Sequence, residues 1–135
     1  MAGVVHFEIP TDDKERANTF YQSAFGWNLI PMQGMDYTSA ITTPSDEQTG
    51  MPSTPGAING ALFPRTDNLK TPVLTIDVDD VDAALAQVES AGGSVAQAKD
   101  AVPGMGYYAY FKDTEGNVLG LWQNLPAGTA EGPAG

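Results

Sequence analysis

Between Val4 and Trp27 the chain reads VVHFEIPTDDKERANTFYQSAFGW. Its first six residues alternate and are rich in β-branched side chains, which predicts a strand over Val4 to Ile9. Pro10 ends that strand. Thr11-Asp12-Asp13 follows, with Glu15 three residues after Asp12. This is a helix-start pattern in which short acidic side chains accept hydrogen bonds from free backbone N–H groups. Ala17, Phe20, Tyr21, Ala24 and Phe25 then recur at the spacing of one helix face. That face predicts a helix burying Phe20, Tyr21 and Phe25 in a core. Gly26 closes the helix as a residue free to adopt a positive φ.

Working outward, Trp27 to Ile30 and Tyr37 to Ile41 read as two further strands, and Ala57 to Phe63 as a fourth. Thr43 to Gly56, rich in Pro, Ser, Thr and Gly, reads as a long loop, either a lid or an interaction surface. The pattern then starts again. Val73 to Val78 reads as a strand, and Asp79-Asp80 starts a helix with apolar face Val81, Ala84, Leu85 and Val88. Gly92-Gly93 ends that helix. Ser94 to Ala98, Tyr107 to Phe111 and Val118 to Gln123 complete the second set of strands, the last two joined by the Asp113 to Asn117 turn. Asp13 and Ala17 are each separated from Asp80 and Ala84 by the same 67 residues, as Gly26 is from Gly93. A duplicated unit buries one shared core. The expected fold is therefore α+β, with two tandem βαβββ modules forming a curved mixed sheet around a cleft. Residues 1–63 and 73–123 are the modules, 64–72 a linker and 124–135 a flexible tail of one structural domain.

The chain has 135 residues, with 6 Lys+Arg against 17 Asp+Glu, a formal net charge of −11. Such acidity opposes nucleic acid and anionic membranes as partners, and it favours a neutral or cationic small ligand. There is no cysteine and one histidine. That excludes disulfide frameworks, thiolate zinc sites, cysteine nucleophiles and any ion site needing two or more histidines from the same chain. No apolar run approaches ~18 residues, and no basic stretch precedes an apolar one at the start. The expected location is cytoplasmic.

Strand alternation supplies candidate site residues. Val5, Phe7 and Ile9 form the set expected to pack on the first helix, which turns Val4, His6 and Glu8 to the other face. In the second module Leu74, Ile76 and Val78 are the core set, and Val73, Thr75 and Asp77 face away. Leu119 and Leu121 go to the core and leave Val118, Gly120 and Trp122 opposite. The expected ligand-binding residues are His6, Glu8, Thr75, Asp77, Tyr108 and Trp122. A wall of carboxylates, aromatics and small residues suits an aromatic or cationic molecule. His6 and Glu8 are the candidate acid/base pair. Asp12, Asp13, Asp79 and Asp80 read as helix caps, and Asp113 and Asn117 as turn residues. Trp27 and Trp122 read as packing residues before ligand platforms. The glycine-rich pieces do not form a phosphate loop.

The duplicated unit resembles the vicinal oxygen chelate superfamily, the group of glyoxalases, bleomycin-resistance proteins and extradiol dioxygenases. The resemblance runs from Val4 to Gln123. It rests on His6 to Asp13, Arg16-Ala17, Phe20-Tyr21 and Phe25-Gly26-Trp27. In the second half it rests on Asp77 to Ala84, Gly92-Gly93 and Phe111 to Asn117. Metal-dependent members hold one divalent ion from four strand positions, and the ion stabilises an anion on the substrate. The resemblance puts the first ligand seven residues before the helix-starting Asp, at His6, and its equivalent at Val73. It puts a third at Gly120 and the fourth near Gly60. His6 is thus the only retained ligand position; no cofactor is assigned, and a divalent metal is the disfavoured alternative. The leading expectation is a metal-free domain that binds a small aromatic or cationic molecule, as bleomycin-resistance proteins do. The alternative is a glyoxalase-like lyase or isomerase using His6 and Glu8, with an atypical or metal-free site. A third is a partner domain within a larger assembly. The resemblance also implies a homodimer.

Overall fold

The computed structural model of the chain describes residues 1–125. Its elements run β1 (Val4–Thr11), α1 (Lys14–Phe25), β2 (Asn28–Pro31), β3 (Thr38–Ile41), β4 (Gly60–Pro64), β5 (Val73–Asp77), α2 (Val81–Ser90), β6 (Ser94–Val102), β7 (Gly106–Lys112) and β8 (Val118–Asn124). The order βαβββ occurs twice, as the repeat requires. Both helices begin on an aspartate in extended backbone. The Asp13 carboxylate accepts from the Arg16 N–H at 3.0 Å, and that of Asp80 from the Ala83 N–H at 3.2 Å. The 67-residue spacing is therefore the spacing of two equivalent N-caps. Asp12 is drawn away from capping by Arg65, whose Nε lies 2.9 Å from its Oδ1.

The helix ends differ by one residue from the repeat. Gly26 is left-handed (φ 73°), and its N–H bonds back to the Gln22 carbonyl at 2.9 Å. In the second module the left-handed residue is Gly92 (φ 105°), not the Gly93 that equal spacing predicts. Helix α2 is two residues shorter than α1, so its terminating glycine comes early.

The chain divides into two compact units, Val5–Val73 and Met1–Val4 with the chain from Leu74 on. In the first, the strands lie in the order β2-β3-β4-β1, antiparallel except for the parallel β4–β1 pair. In the second they lie in the order β6-β7-β8-β5, again with one parallel pair, β8–β5. The segment from Pro64 to Pro72 packs within the first unit. The Arg65 N–H donates to the Thr11 carbonyl at 3.0 Å, and Leu69 is buried. The expected tail lies outside the described residues from 126 on; Asn124 closes β8.

The second unit buries the face that its pattern predicts. Val81 and Leu85 of α2 meet Ala109, Phe111 and Leu121, flanked by Ile76, Val78, Ala84, Val88, Tyr107 and Leu119. Leu74 departs from its expected core place and is 49% exposed. It precedes the stretch of β5 paired with β8, which begins at Thr75. Val5 also departs from its expected core place and is 45% exposed.

The first helix differs more. None of its residues is fully buried. Tyr21 stacks on Trp27 (centroids 4.8 Å apart, planes 8°), and Trp27 meets Phe7 at 5.7 Å. These three rings form the contact between helix and sheet, and Phe20 and Phe25 are left outside at 55% and 65% exposure. The expectation that both lie in a core is thus corrected.

Removing a buried side chain costs transfer and cavity energy together, whereas an exposed one costs little. Leu85→Ala is expected to lower the unfolding free energy by about 3 kcal/mol. Phe25→Ala is expected to lower it by less than about 1 kcal/mol. Urea titrations of the two variants check the contrast.

Candidate functional site

In the first unit, Glu8 stands opposite Ala61 of β4, and Ala61 opposite Ser39 of β3. Alternation places His6, Glu8, Ala61 and Ser39 on the sheet face turned from α1. Tyr37, two residues before Ser39, joins them. Its hydroxyl donates to Glu8 Oε2 at 2.8 Å and lies 3.1 Å from His6 Nε2. One phenol thereby links the two residues that the sequence pairs as acid and base. Glu8 is 7% exposed. A carboxylate so placed needs a hydrogen-bond donor, and Tyr37 supplies one. Burial holds the His6 imidazole below its ordinary pKa of 6.5, and the Glu8 charge offsets part of that effect.

Tyr37 was absent from the expected site. The only signal for it was its phase with Ser39 and Ile41, and that phase says nothing about which strand lies beside it.

The fourth ligand place also moves. A Cβ on Gly60 would run into the carbonyl and ring of Phe7, so position 60 faces the helix side. The residue that shares a face with Glu8 is Ala61, which is fully buried.

In the second unit, register brings Thr75 opposite Gly120, Tyr110 opposite Gly120, and both Asp77 and Tyr108 opposite Trp122. These residues share the face turned from α2. Tyr107 lies on the helix side, packed against the core with the Lys99 ammonium 4.8 Å from its ring centre. A Cβ on Gly120 would stand 3.2 Å from Thr75 Oγ1 and 3.4 Å from Tyr110 Cε1. The glycine therefore lets a buried hydroxyl and a ring edge close over the strand more tightly than a side chain there would allow. Tyr108 and Tyr110 meet edge to face at 5.9 Å. The Trp122 indole packs over Gly106, with Nε1 donating to Asn124 Oδ1 at 2.8 Å. Tyr110 is the aromatic that sequence reasoning left unassigned.

The residues at the four ligand places are therefore His6, Ala61, Val73 and Gly120. Only the first carries a donor atom on its side chain, and a divalent ion of this kind needs three or more protein ligands. Among the described residues no group of three or more His, Asp or Glu side chains is placed to hold an ion. The donor set does not fit the superfamily's metal, and no step is derived through one.

The remaining acidic residues have structural partners. Asp113 accepts from the Glu115 and Asn117 N–H groups and from the Asn117 amide. Those bonds hold its carboxyl below the ordinary range. The loop from Thr43 to Gly56 is tied at its root by Asn59, which accepts from the Thr42 N–H at 2.9 Å and donates to Ser45 Oγ at 2.8 Å.

Comparison with known proteins agrees with the duplicated fold. The family described as bleomycin resistance protein-like N-terminal matches residues 4–43. A protein of Didymella fabae named as containing a glyoxylase-like domain is 34% identical over 122 residues, 82% of this chain and 85% of that protein. A Mycobacterium tuberculosis protein named as a glyoxylase, CFP32, is 32% identical over 120 residues, 86% of this chain. The chain spans only 43% of that relative's length. Among solved structures, a methylmalonyl-CoA epimerase of Streptomyces coelicolor in complex with 2-nitronate-propionyl-CoA is similar at a TM-score of 0.60. It is 18% identical, with 91% of this chain and 97% of that one covered.

The lowered His6 pKa makes a testable statement about pH. The unfolded chain binds a proton near 6.5 and the folded chain only at lower pH, so the unfolded state holds more protons between the two values. The His6 contribution to stability is present above 6.5 and is lost as pH falls towards the folded pKa. An NMR titration of this single imidazole is expected to give a midpoint below 6.5. Melting curves of His6→Gln are expected to lack the corresponding slope.

Proposed function

Because the chain belongs to the vicinal oxygen chelate superfamily and, within it, to the glyoxalase-like proteins, we propose that it binds a small aromatic or cationic molecule without the superfamily's metal ion. The observation that carries this reading is Glu8, a buried carboxylate on the sheet face where metal-binding relatives hold a cation. Coulomb attraction to a ligand cation is stronger there than in water. The net charge of −11 draws cations towards the protein as a whole. Tyr108, Tyr110 and Trp122 supply ring faces suited to an aromatic or an ammonium group. We assign ligand contact to His6, Glu8, Thr75, Asp77, Tyr108 and Trp122, and add Tyr110.

The epimerase neighbour was solved with a CoA thioester. The phosphates of such a ligand would meet 17 acidic side chains against 6 basic ones here, so an acyl-CoA is disfavoured. The same charge argues against nucleic acid and anionic membranes. Among the described residues no helix is long and apolar enough to cross a membrane. The acting form we propose is a cytoplasmic homodimer, with the exposed Phe20 and Phe25 as apolar surface available for association.

A second reading is supported by the Tyr37 bridge. His6 and Glu8, joined through one hydroxyl, have the composition of an acid/base pair. A glyoxalase-like lyase or isomerase would use them to move a proton on a bound substrate.

The binding reading is tested with three compounds sharing one ring system and carrying an ammonium, an alcohol or a carboxylate. The ammonium compound is expected to raise the melting temperature and quench tryptophan fluorescence, and the carboxylate to do neither. Glu8→Gln is expected to weaken ammonium binding roughly tenfold. Equal or tighter binding of the carboxylate, or no effect of Glu8→Gln, refutes the reading.

A further inference from the structure

A phenol hydroxyl holds one proton, and the contacts of Tyr37 decide where it points. Its oxygen is 2.8 Å from Glu8 Oε2 and donates to it. A carboxylate only accepts, so this end of the chain of bonds has a fixed direction. The same phenol oxygen lies 3.1 Å from His6 Nε2. With its proton committed to Glu8, Tyr37 meets the imidazole as an acceptor, and Nε2 must carry the N–H. A neutral imidazole has one N–H, which leaves Nδ1 with an in-plane lone pair. The direction is set at Glu8 and transmitted to His6 through a residue that touches both.

We propose that Tyr37 is a positioning residue that holds His6 as the Nε2–H tautomer. The small molecule recognised at His6 is then an N–H or O–H donor, a protonated primary or secondary amine in preference to a quaternary one. This rests on the binding reading above and narrows its ligand class. A quaternary ammonium offers charge and no donor, so it satisfies Glu8 but leaves Nδ1 unpaired. A protonated amine satisfies both.

The chain has a single histidine, so its imidazole nitrogens are observed without overlap. In a long-range ¹H–¹⁵N correlation at about pH 8, where an imidazole is neutral, Nε2 is expected at the proton-bearing position and Nδ1 at the lone-pair position. The Nε2 proton is expected to be protected from exchange with water. Tyr37→Phe is expected to remove that protection and move both nitrogens towards averaged values, while its amide spectrum reports whether it is folded. A proton-bearing Nδ1 in the unaltered protein overturns the inference, as do unchanged nitrogens in folded Tyr37→Phe. Should that variant not fold, the nitrogens of the unaltered protein decide alone.

The ligand class is read with benzylammonium and benzyltrimethylammonium. The donor is expected to bind roughly tenfold more tightly, and Tyr37→Phe to narrow that gap. Equal affinities, or a preference for the trimethylated cation, overturn the ligand class. Binding of neither cation overturns the cationic-ligand reading instead, and the imidazole spectrum still decides the tautomer.

Discussion

Successive side chains of a β-strand point to opposite faces of its sheet, and everything functional in this protein depends on how that constraint is used. Each unit spends one face on its helix. In the second, Ile76, Ala109, Phe111, Leu119 and Leu121 turn to Val81 and Leu85. In the first, Phe7 meets Trp27, which stacks on Tyr21 of α1. What remains on the opposite faces is free of that packing duty and includes polar and aromatic side chains. His6 and Glu8 stand there in one unit, and Thr75, Asp77, Tyr108, Tyr110 and Trp122 in the other. The parallel pairs β1–β4 and β5–β8 align these rows in corresponding places, Glu8 beside Ala61 and Thr75 beside Gly120.

At the positions that the resemblance marks as ligand places beyond His6, this chain has Ala61, Val73 and Gly120, whose side chains carry no donor atom. A buried carboxylate still needs compensation, because leaving it without a partner costs several kcal/mol. The Tyr37 hydroxyl meets that need for Glu8 and in the same contact orients His6. A hydrogen-bonded chain thus joins the acidic and the basic residue of the first unit. On the second unit, the absent side chain at Gly120 lets Thr75 and Tyr110 approach the strand closely instead.

Much of this was legible along the chain, for local reasons. Asp13 and Asp80 were recognisable as matching helix starts because capping uses contacts only three residues away. The helix face of Val81, Ala84, Leu85 and Val88 was recognisable because its period is that of the helix itself. Phe20 and Phe25 misled because amphipathic spacing identifies a face without saying how much of it the sheet covers. Tyr21 and Trp27 reach the sheet first, and the rings beyond them remain in solvent. Val5 and Leu74 misled because alternation assigns a face without marking how far along the strand the helix covers it.

By itself the sequence determined the duplicated βαβββ order, the Asp13 and Asp80 helix caps and the phase of each strand. All of these follow from residue identity and from contacts a few positions apart. Only the tertiary structure decided that Tyr37 stands between Glu8 and His6, which are 29 and 31 residues away. It alone put Ala61 rather than Gly60 on the site face, and it alone left Phe20 and Phe25 uncovered. A period of two tells which residues share a face within one strand. It is silent on which strand lies alongside and in what register, and those two choices bring a distant hydroxyl to within 2.8 Å of a carboxylate.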